Sequence, residues 1–178
     1  MKGTSPIFAK LFESYVWIRP EGRGTFLEST IIKDFVERSV ADGASNFAIA
    51  LEAGRGMDST FMGMLAGLGI GFRKTKRGGI SIVGTTEKTS SSLKELGLQY
   101  LMTIEPIDGP WIEKMEEIRG ALVLLDQKSE VDREDHVLEC HEDLCIADES
   151  NLNRFKTVLD VLGSDMAPNL SPHQKSSD

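Results

Sequence analysis

The chain has 178 residues, 40% of them apolar, and a formal net charge of −8. This length suits one domain of common size with an appendage, and the apolar fraction is sufficient for a packed core. No window approaches the ~20 apolar residues that a membrane-spanning helix requires, and the N-terminus lacks the apolar stretch of a signal peptide. Two cysteines, Cys140 and Cys145, make no disulfide framework, so we expect a cytoplasmic protein.

The negative charge is concentrated in one segment. Residues 126–149 contain ten acidic and two basic residues, a net charge of −8 (2 − 10), so the rest of the chain is neutral overall. Because no basic field suited to a phosphate backbone precedes that segment, we do not expect direct binding to nucleic acid. The one basic cluster, RKTKRGG at residues 73–79, is typical of a helix C-terminus, where the helix dipole favours positive charge.

Strand and helix patterns alternate through the first 106 residues. Extended segments are predicted at residues 7–12 and 15–19, followed by the turn sequence PEGRG. The later elements are a helix capped by Ser29 or Thr30, a strand at 47–51, a helix from Ser59 to about Lys74, a strand at 80–83, a helix capped by Thr86 and a strand at 101–104. This order, β-β-α-β-α-β-α-β, predicts a mixed α/β sheet, because adjacent strands form a hairpin whereas βαβ units pair in parallel.

The chain after residue 106 follows other patterns. EPIDGPW has the composition of a linker, and residues 112–127 are predicted to be helical, although the ALVLL within them also suits a strand. We therefore divide the chain into a domain at 1–106, an acidic helical extension at 107–166 and a disordered tail at 167–178. In the extension, apolar residues recur every seven positions at Leu138, Cys145, Leu152 and Leu159. Such a stripe can pack on its own domain, on another helix or on a second copy of the chain.

Three glycines fall four residues apart in the second predicted helix, at Gly63, Gly67 and Gly71. Each costs a helix about 1 kcal/mol relative to alanine, so a ridge of three indicates close approach to another backbone. Tight packing on the sheet is the favoured interpretation, and a groove for a partner is the alternative.

A cluster of histidine and cysteine invites a metal interpretation. On one helix, His136 and Cys140 share a face, and His141 and Cys145 share another about 100° away. Four ligands so arranged cannot converge on one tetrahedral ion. Packing is therefore favoured, and no metal site is predicted.

The sequence GMDSTFMG at residues 56–63 places an acid and two hydroxyls where an apolar strand passes into a helix. Asp58 suits the N-cap, which makes Ser59 the first helical residue, with its hydroxyl toward solvent. The nearby glycine strings lack the pattern of a nucleotide-binding loop, so no cofactor is predicted. A serine hydrolase would need its base from the acidic segment, because the first 125 residues contain no histidine. No enzymatic activity is predicted.

Met57-Asp58-Ser59-Thr60 between an apolar strand and an apolar helix, within this order of elements, resembles the STAS domain of anti-sigma factor antagonists. The resemblance spans roughly residues 5–106 and includes the EGRGTF turn and the LKELGLQYLMTI ending. It implies a STAS-like mixed β-sheet with helices mainly on one side, followed here by the C-terminal helical extension. The family often has Asp-Ser-Ser-Gly at the motif, whereas Thr60 and Phe61 fill the last two places here, and Phe61 would add bulk beside the contact face.

The resemblance also implies a function. In partner-switching members, the serine after the aspartate is phosphorylated by an anti-sigma kinase and restored by a phosphatase, which makes Ser59 the expected phosphorylation site. The expected partner-binding residues are Met57, Asp58, Ser59, Thr60, Phe61 and Met62. The unmodified protein would bind its kinase and so regulate transcription, and phosphorylation would release the kinase. A homodimer through the C-terminal helices is a further expectation. The alternative is a STAS scaffold or ligand-binding module in which Ser59 only caps a helix.

Overall fold

The computed structural model describes residues 3–126, 128 and 131–165, so the tail predicted at 167–178 lies outside the described residues. The strands are β1 (Ile7–Leu11), β2 (Val16–Pro20), β3 (Gly22–Gly24), β4 (Asn46–Ala50), β5 (Gly54–Met57), β6 (Gly79–Val83), β7 (Thr103–Ile104) and β8 (Val123–Leu124). The α-helices are α1 (Phe26–Ala41), α2 (Ser59–Thr75), α3 (Glu87–Glu95), α4 (Met115–Ala121), α5 (Arg133–Ala147) and α6 (Asn151–Asp165). None of these helices is both long and apolar enough to cross a lipid bilayer.

A six-stranded mixed sheet organises the fold, in the order β7-β6-β4-β2-β1-β8. β1 and β2 form the predicted antiparallel hairpin, and β2, β4, β6 and β7 run parallel, joined through helices. This confirms the mixed α/β sheet. β8, from the predicted extension, pairs antiparallel with the free edge of β1, so the ambiguous ALVLL segment is divided between the end of α4 and a strand.

The helix starts follow from their caps. The Asp58 carboxylate accepts a hydrogen bond from the Phe61 N–H at 2.8 Å, so α2 begins at Ser59 as predicted. Thr86 caps α3 as predicted, since its hydroxyl oxygen accepts from the Thr89 N–H at 3.1 Å.

The predicted start of α1 is wrong. Thr25 is the N-cap, and the Glu28 carboxylate accepts from the Thr25 N–H at 3.0 Å in a capping box. Ser29 and Thr30 lie buried one turn further on, with their hydroxyls donating to backbone carbonyls of the same turn. Hydroxyls that can cap a helix can also bond back within it, and sequence alone does not separate the two.

The two faces of the sheet are covered differently. Apolar side chains of α1, α2, α3 and α5 pack on one face in a single large core, to which α5 contributes Cys140 and Leu144. A smaller cluster on the other face gathers Tyr15, Trp17 and Trp111, with Trp111 only 7% exposed. The segment predicted as a linker therefore carries a core residue, and chain from beyond residue 106 packs on both faces.

A second, two-stranded sheet lies next to the N-terminus of α2. β3 and β5 pair in parallel, and the Asp58 N–H donates to the Gly24 carbonyl at 2.9 Å. A Cβ atom on Gly24 would lie 2.8 Å from the Phe61 ring, so only glycine lets β3 pass this close. These glycine-rich strands lack apolar alternation, and the sequence patterns did not predict them. They hold the start of α2 in place.

Candidate functional site

Ser59 is the first residue of α2, and the backbone around it is held from two sides. The Asp58 side chain caps the helix, and the Asp58 N–H is bonded to β3. The Ser59 side chain is half-buried, although the sequence suggests a hydroxyl directed into solvent. The reason is a helix 82 residues further along the chain.

His141 of α5 lies against the Ser59 hydroxyl, with Ser59 Oγ 3.0 Å from His141 Nε2. The other ring nitrogen, Nδ1, is 2.7 Å from the Val137 carbonyl oxygen, which can only accept. Nδ1 therefore carries the proton, and in the neutral ring Nε2 accepts the hydrogen bond from Ser59. Phe155 of α6 packs edge-on against the His141 ring, with ring centroids 4.9 Å apart. The expectation that this hydroxyl faces open solvent is wrong.

His136, one turn earlier in α5, adopts the opposite tautomer. The Ser29 hydroxyl donates to the Phe26 carbonyl, so the Ser29 oxygen accepts from His136 Nε2–H across 2.8 Å. His136 Nδ1 is buried without a hydrogen-bond partner among the described residues. Burial, with the nearby charge of Lys33, lowers the pKa of His136. Each histidine thus bonds to a different helix of the domain.

The glycine ridge brings the backbones of α2 and α5 together. A Cβ atom on Gly63 would lie 2.3 Å from the Cys140 carbonyl oxygen, and one on Gly67 would lie 2.2 Å from an Asp143 carboxylate oxygen. Nothing lies within 4 Å of the same position on Gly71. The predicted close approach to another backbone is confirmed at Gly63 alone, because a side chain lies against Gly67 and nothing lies near Gly71. The neighbour is α5, so the favoured interpretation of packing on the sheet is wrong for Gly63 and Gly67.

α5 also places ionisable groups against the domain. Lys33 Nζ donates to a Glu139 carboxylate oxygen at 2.6 Å. Burial, reinforced by the charge of Glu139, raises the pKa of Asp143 to about 6. Burial likewise raises the pKa of the Cys140 thiol to about 12, so this thiol stays protonated. The α2–α5 contact therefore holds a partly desolvated carboxylate that is costly to keep ionised.

The six expected partner-binding residues are not equally exposed. Met57, Asp58, Ser59 and Met62 are partly exposed. Thr60 is buried, and Phe61 is 0% exposed in the main core. Phe61 thus supports the start of α2 from beneath rather than adding bulk at its surface.

Two cavities lie beside α2. A groove of about 420 Å³ runs between α1, α2 and α5, with Val36 and Leu68 on its wall. A second cavity, of about 480 Å³, lies beside Met57 and Met62. Its wall includes three cations that form no ion pair with any described residue: Arg23, Arg55 and Lys88. This part of the surface is locally positive in a chain of net charge −8.

A serine hydroxyl on a histidine nitrogen is also half of a nucleophile–base pair. In such sites a third group orients the histidine, and the hydroxyl faces space for a substrate. Here His141 is oriented by a carbonyl of its own helix, and neither flanking cavity includes Ser59 in its wall. The arrangement is that of a closed helix–helix contact.

The apolar residues that recur every seven positions in the extension are not the residues that form the α2–α5 contact. The buried residues of α5 are His136, Cys140, His141 and Leu144, whereas Leu152 of the stripe is 48% exposed. The spacing of the buried set, four, one and three, is helical, but three of its four members are not aliphatic. The histidine and cysteine residues considered as metal ligands were therefore the sequence feature that indicated which face of α5 packs on the domain. Among residues 3–126, 128 and 131–165, no group of three or more histidine, cysteine or acidic side chains is placed to hold a metal ion.

No protein-family model matches the sequence, and no curated protein matches it significantly. Solved structures do match the fold. A Thermotoga maritima protein, TM1081, described as a candidate anti-sigma factor antagonist, is similar in its crystal structure with a TM-score of 0.51 and 20% identity. That match covers 62% of this chain and 92% of TM1081. The NMR structure of TM1081 matches with the same TM-score and identity, over 62% of this chain and 86% of that one.

The anti-sigma factor antagonist SpoIIAA in its unphosphorylated form is similar at a TM-score of 0.48 and 15% identity, over 64% of this chain and 96% of SpoIIAA. The match to TM1081 confirms the STAS-like α/β fold that the sequence predicts.

Proposed function

We propose that this chain is a regulatory binding protein of the anti-sigma factor antagonist type and that Ser59 is its phosphorylation site. The observation that supports this most is the position of Ser59 as the first residue of α2, directly after its capping aspartate, in a fold shared with TM1081. The surface offered to a partner is formed by Met57, Asp58, Ser59 and Met62, with Thr60 and Phe61 supporting it from the core.

In this proposal an anti-sigma kinase transfers a phosphoryl group from ATP to Ser59. The serine oxygen bonds to the γ-phosphorus, the bond to ADP breaks, and the hydroxyl proton passes to a base of the kinase. A phosphatase reverses the change by adding water across the new bond, which releases inorganic phosphate. Unmodified protein binds the kinase, and this frees the factor that the kinase holds.

Phosphorylation changes the charge of this surface while the sheet stays folded. The group adds about −1.5 to −2 charge, which the N-terminus of α2 favours locally. A partner surface would have to desolvate this charge beside Asp58. We expect a loss of affinity of about a hundredfold or more.

The test is the intact mass of the chain after incubation with ATP and each candidate anti-sigma kinase from the same genome. The mass should rise by one phosphoryl group with the cognate kinase. Ser59→Ala should abolish the rise, whereas Ser92→Ala, at a partly exposed serine of α3, should retain it. Wild-type protein that no such kinase modifies, or modification that persists in Ser59→Ala, would contradict the proposal.

The cavity beside Met57 favours a second candidate, a module that binds a phosphate-bearing ligand. Its wall combines three cations with the hydroxyl groups of Thr86, Thr89 and Ser92. Titration with tripolyphosphate, followed by NMR, would show saturable shifts around this cavity if it binds such ligands. Arg55→Glu should remove the shifts, whereas Arg77→Glu, outside the cavity wall, should retain them.

A further inference from the structure

We propose that α5 covers Ser59, one residue of the proposed partner surface, within the same chain and must detach before a kinase or other partner can reach this serine. The inference rests on the proposed function for the role of Ser59, and it concerns how access to that site is regulated. The covering segment is defined as residues 136–144 of α5. The Ser59 face is defined as Ser59, Gly63 and Gly67 of α2.

The covering segment contacts each member of the Ser59 face. These three residues are spaced by four and therefore share one side of α2. His141 bonds to Ser59, the Cys140 backbone lies over Gly63, and Asp143 lies over Gly67. A kinase active site must surround the serine oxygen, and the position it needs is filled by the His141 ring. Docking of another protein on this face and packing of α5 are therefore mutually exclusive.

The side chains in the α2–α5 contact are of types that allow α5 to detach. Three of its members are a histidine, a cysteine and a partly desolvated aspartate, and the groove of about 420 Å³ leaves one flank of α5 incompletely packed. The aliphatic Leu144 lies at the C-terminal end of the segment. These features lower the free energy needed to detach the helix relative to unfolding the sheet.

The C-terminal end of the segment is anchored separately. The buried Asn151 side chain donates to the Leu144 carbonyl at 2.7 Å and to the Leu96 carbonyl at 3.0 Å, which ties the α5–α6 junction to the end of α3. Detachment should therefore begin around His136–His141 and pivot near Leu144. The part that covers Ser59 leaves first.

Closure reduces both modification and binding. If only a fraction of the molecules is open, the apparent affinity for a partner falls by that fraction, and the phosphorylation rate falls with it. A phosphoryl group on Ser59 is incompatible with closure, because Ser59 Oγ is already 3.0 Å from His141 Nε2.

Cys140 provides an internal reporter of opening. Cys140 is 2% exposed and packs in the core of the domain, whereas Cys145 of the same helix is partly exposed. N-ethylmaleimide labelling, resolved by peptide mass, should modify Cys145 quickly and Cys140 only as α5 detaches. Hydrogen exchange of the β4 amides, measured on the same full-length chain, reports whether the sheet stays folded.

Gly63→Ala and Gly71→Ala form a matched pair, since both replace a glycine of α2 but only Gly63 contacts α5. Gly63→Ala should speed Cys140 labelling by about tenfold or more, because its Cβ overlaps the Cys140 carbonyl. Gly71→Ala should leave the rate unchanged. In both, β4 should remain protected. His141→Ala, which removes the bond to Ser59 without a clash, should also speed labelling and decides the question if Gly63→Ala unfolds the sheet.

Labelling of Cys140 at the rate of global unfolding in wild type and in His141→Ala would overturn the proposal, since α5 would then be a permanent part of the core. The experiment uses no kinase, so its outcome is separate from that of the proposed function. If α5 detaches but no kinase modifies Ser59, the proposal that α5 covers this serine stands and the proposed phosphorylation is refuted. If a kinase phosphorylates Ser59 at equal rates in wild type, Gly63→Ala and His141→Ala, the proposed phosphorylation stands and the proposal that α5 limits access to Ser59 is refuted.

Discussion

A Cβ atom placed on Gly63 would lie 2.3 Å from the carbonyl oxygen of Cys140, a distance that real Cβ atoms essentially never show. The second and fifth helices therefore meet at backbone distance, and glycine is required at this position for them to do so. Because Ser59 lies one turn before Gly63, the same contact determines how exposed the proposed phosphorylation site is. The extension at 107–166 thus bears directly on the site.

Asp143→Asn should stabilise the protein at neutral pH. The Asp143 pKa rises from 3.8 to about 6 on folding, so the folded state binds more protons than the unfolded state between these values. Stability attributable to Asp143 therefore falls as pH rises through this window, and the penalty is complete above about pH 6. The full shift corresponds to about 3 kcal/mol, which partial exposure reduces to about 1–2 kcal/mol.

Urea unfolding of both proteins from pH 3.5 to 8 checks this prediction. The difference in unfolding free energy should be near zero at the acid end and reach its plateau above pH 6. Glu142→Gln, at an exposed position of α5, is the control and should show no comparable plateau. A difference that does not vary with pH would mean that the Asp143 carboxylate is not desolvated.

Phosphoserine at position 59 should release the covering segment. The phosphoryl group replaces the hydroxyl proton that is donated to His141, so this hydrogen bond is lost and three further oxygens must be placed beside the His141 ring. Chain carrying phosphoserine by genetic incorporation should show hydrogen exchange in α5 at least about tenfold faster than unmodified chain, with β4 unchanged. Phosphoserine at position 92 is the control. Undiminished α5 protection with phosphoserine at 59 would contradict the steric argument.

Trp111→Ala should destabilise the whole domain by about 3 kcal/mol. The Trp111 ring packs edge-on against Trp17 and Tyr15, at centroid distances of 6.0 and 5.5 Å, on the face of the sheet opposite α2. Chemical denaturation followed by circular dichroism measures the loss. Ile107→Ala, in the same segment at 98% exposure, should change stability by less than about 0.5 kcal/mol. If the two substitutions changed stability equally, the EPIDGPW segment would be a linker, as its composition suggests.

A fluorophosphonate probe should not label Ser59 in the wild-type chain. Although His141 lies at hydrogen-bond distance, its ring fills the space that the probe would need, and its orienting partner is the Val137 carbonyl. Intact mass after prolonged incubation, with a known serine hydrolase as positive control, checks this. Labelling that disappears in His141→Ala would instead establish a nucleophile–base pair.

Local patterns were enough for much of the domain. The strand at 47–51, the cap at Asp58 and the hairpin at the start of the chain follow from apolar runs and short-range hydrogen bonds, and the structure confirms them. The start of α1 was missed because several hydroxyls compete to cap it, and β3 and β5 were missed because glycine-rich strands carry no periodic signal.

The sequence by itself determined that Ser59 begins a capped helix and that Gly63 meets another backbone, because caps and glycine ridges act over one or two turns. It could not determine which backbone. Only the tertiary structure brings His141 to Ser59 and Cys140 to Gly63, since a contact across 82 residues depends on how α5 packs, and its buried side chains are mostly not aliphatic. Long-range packing, which leaves no local pattern in the chain, decided whether the serine is open or covered.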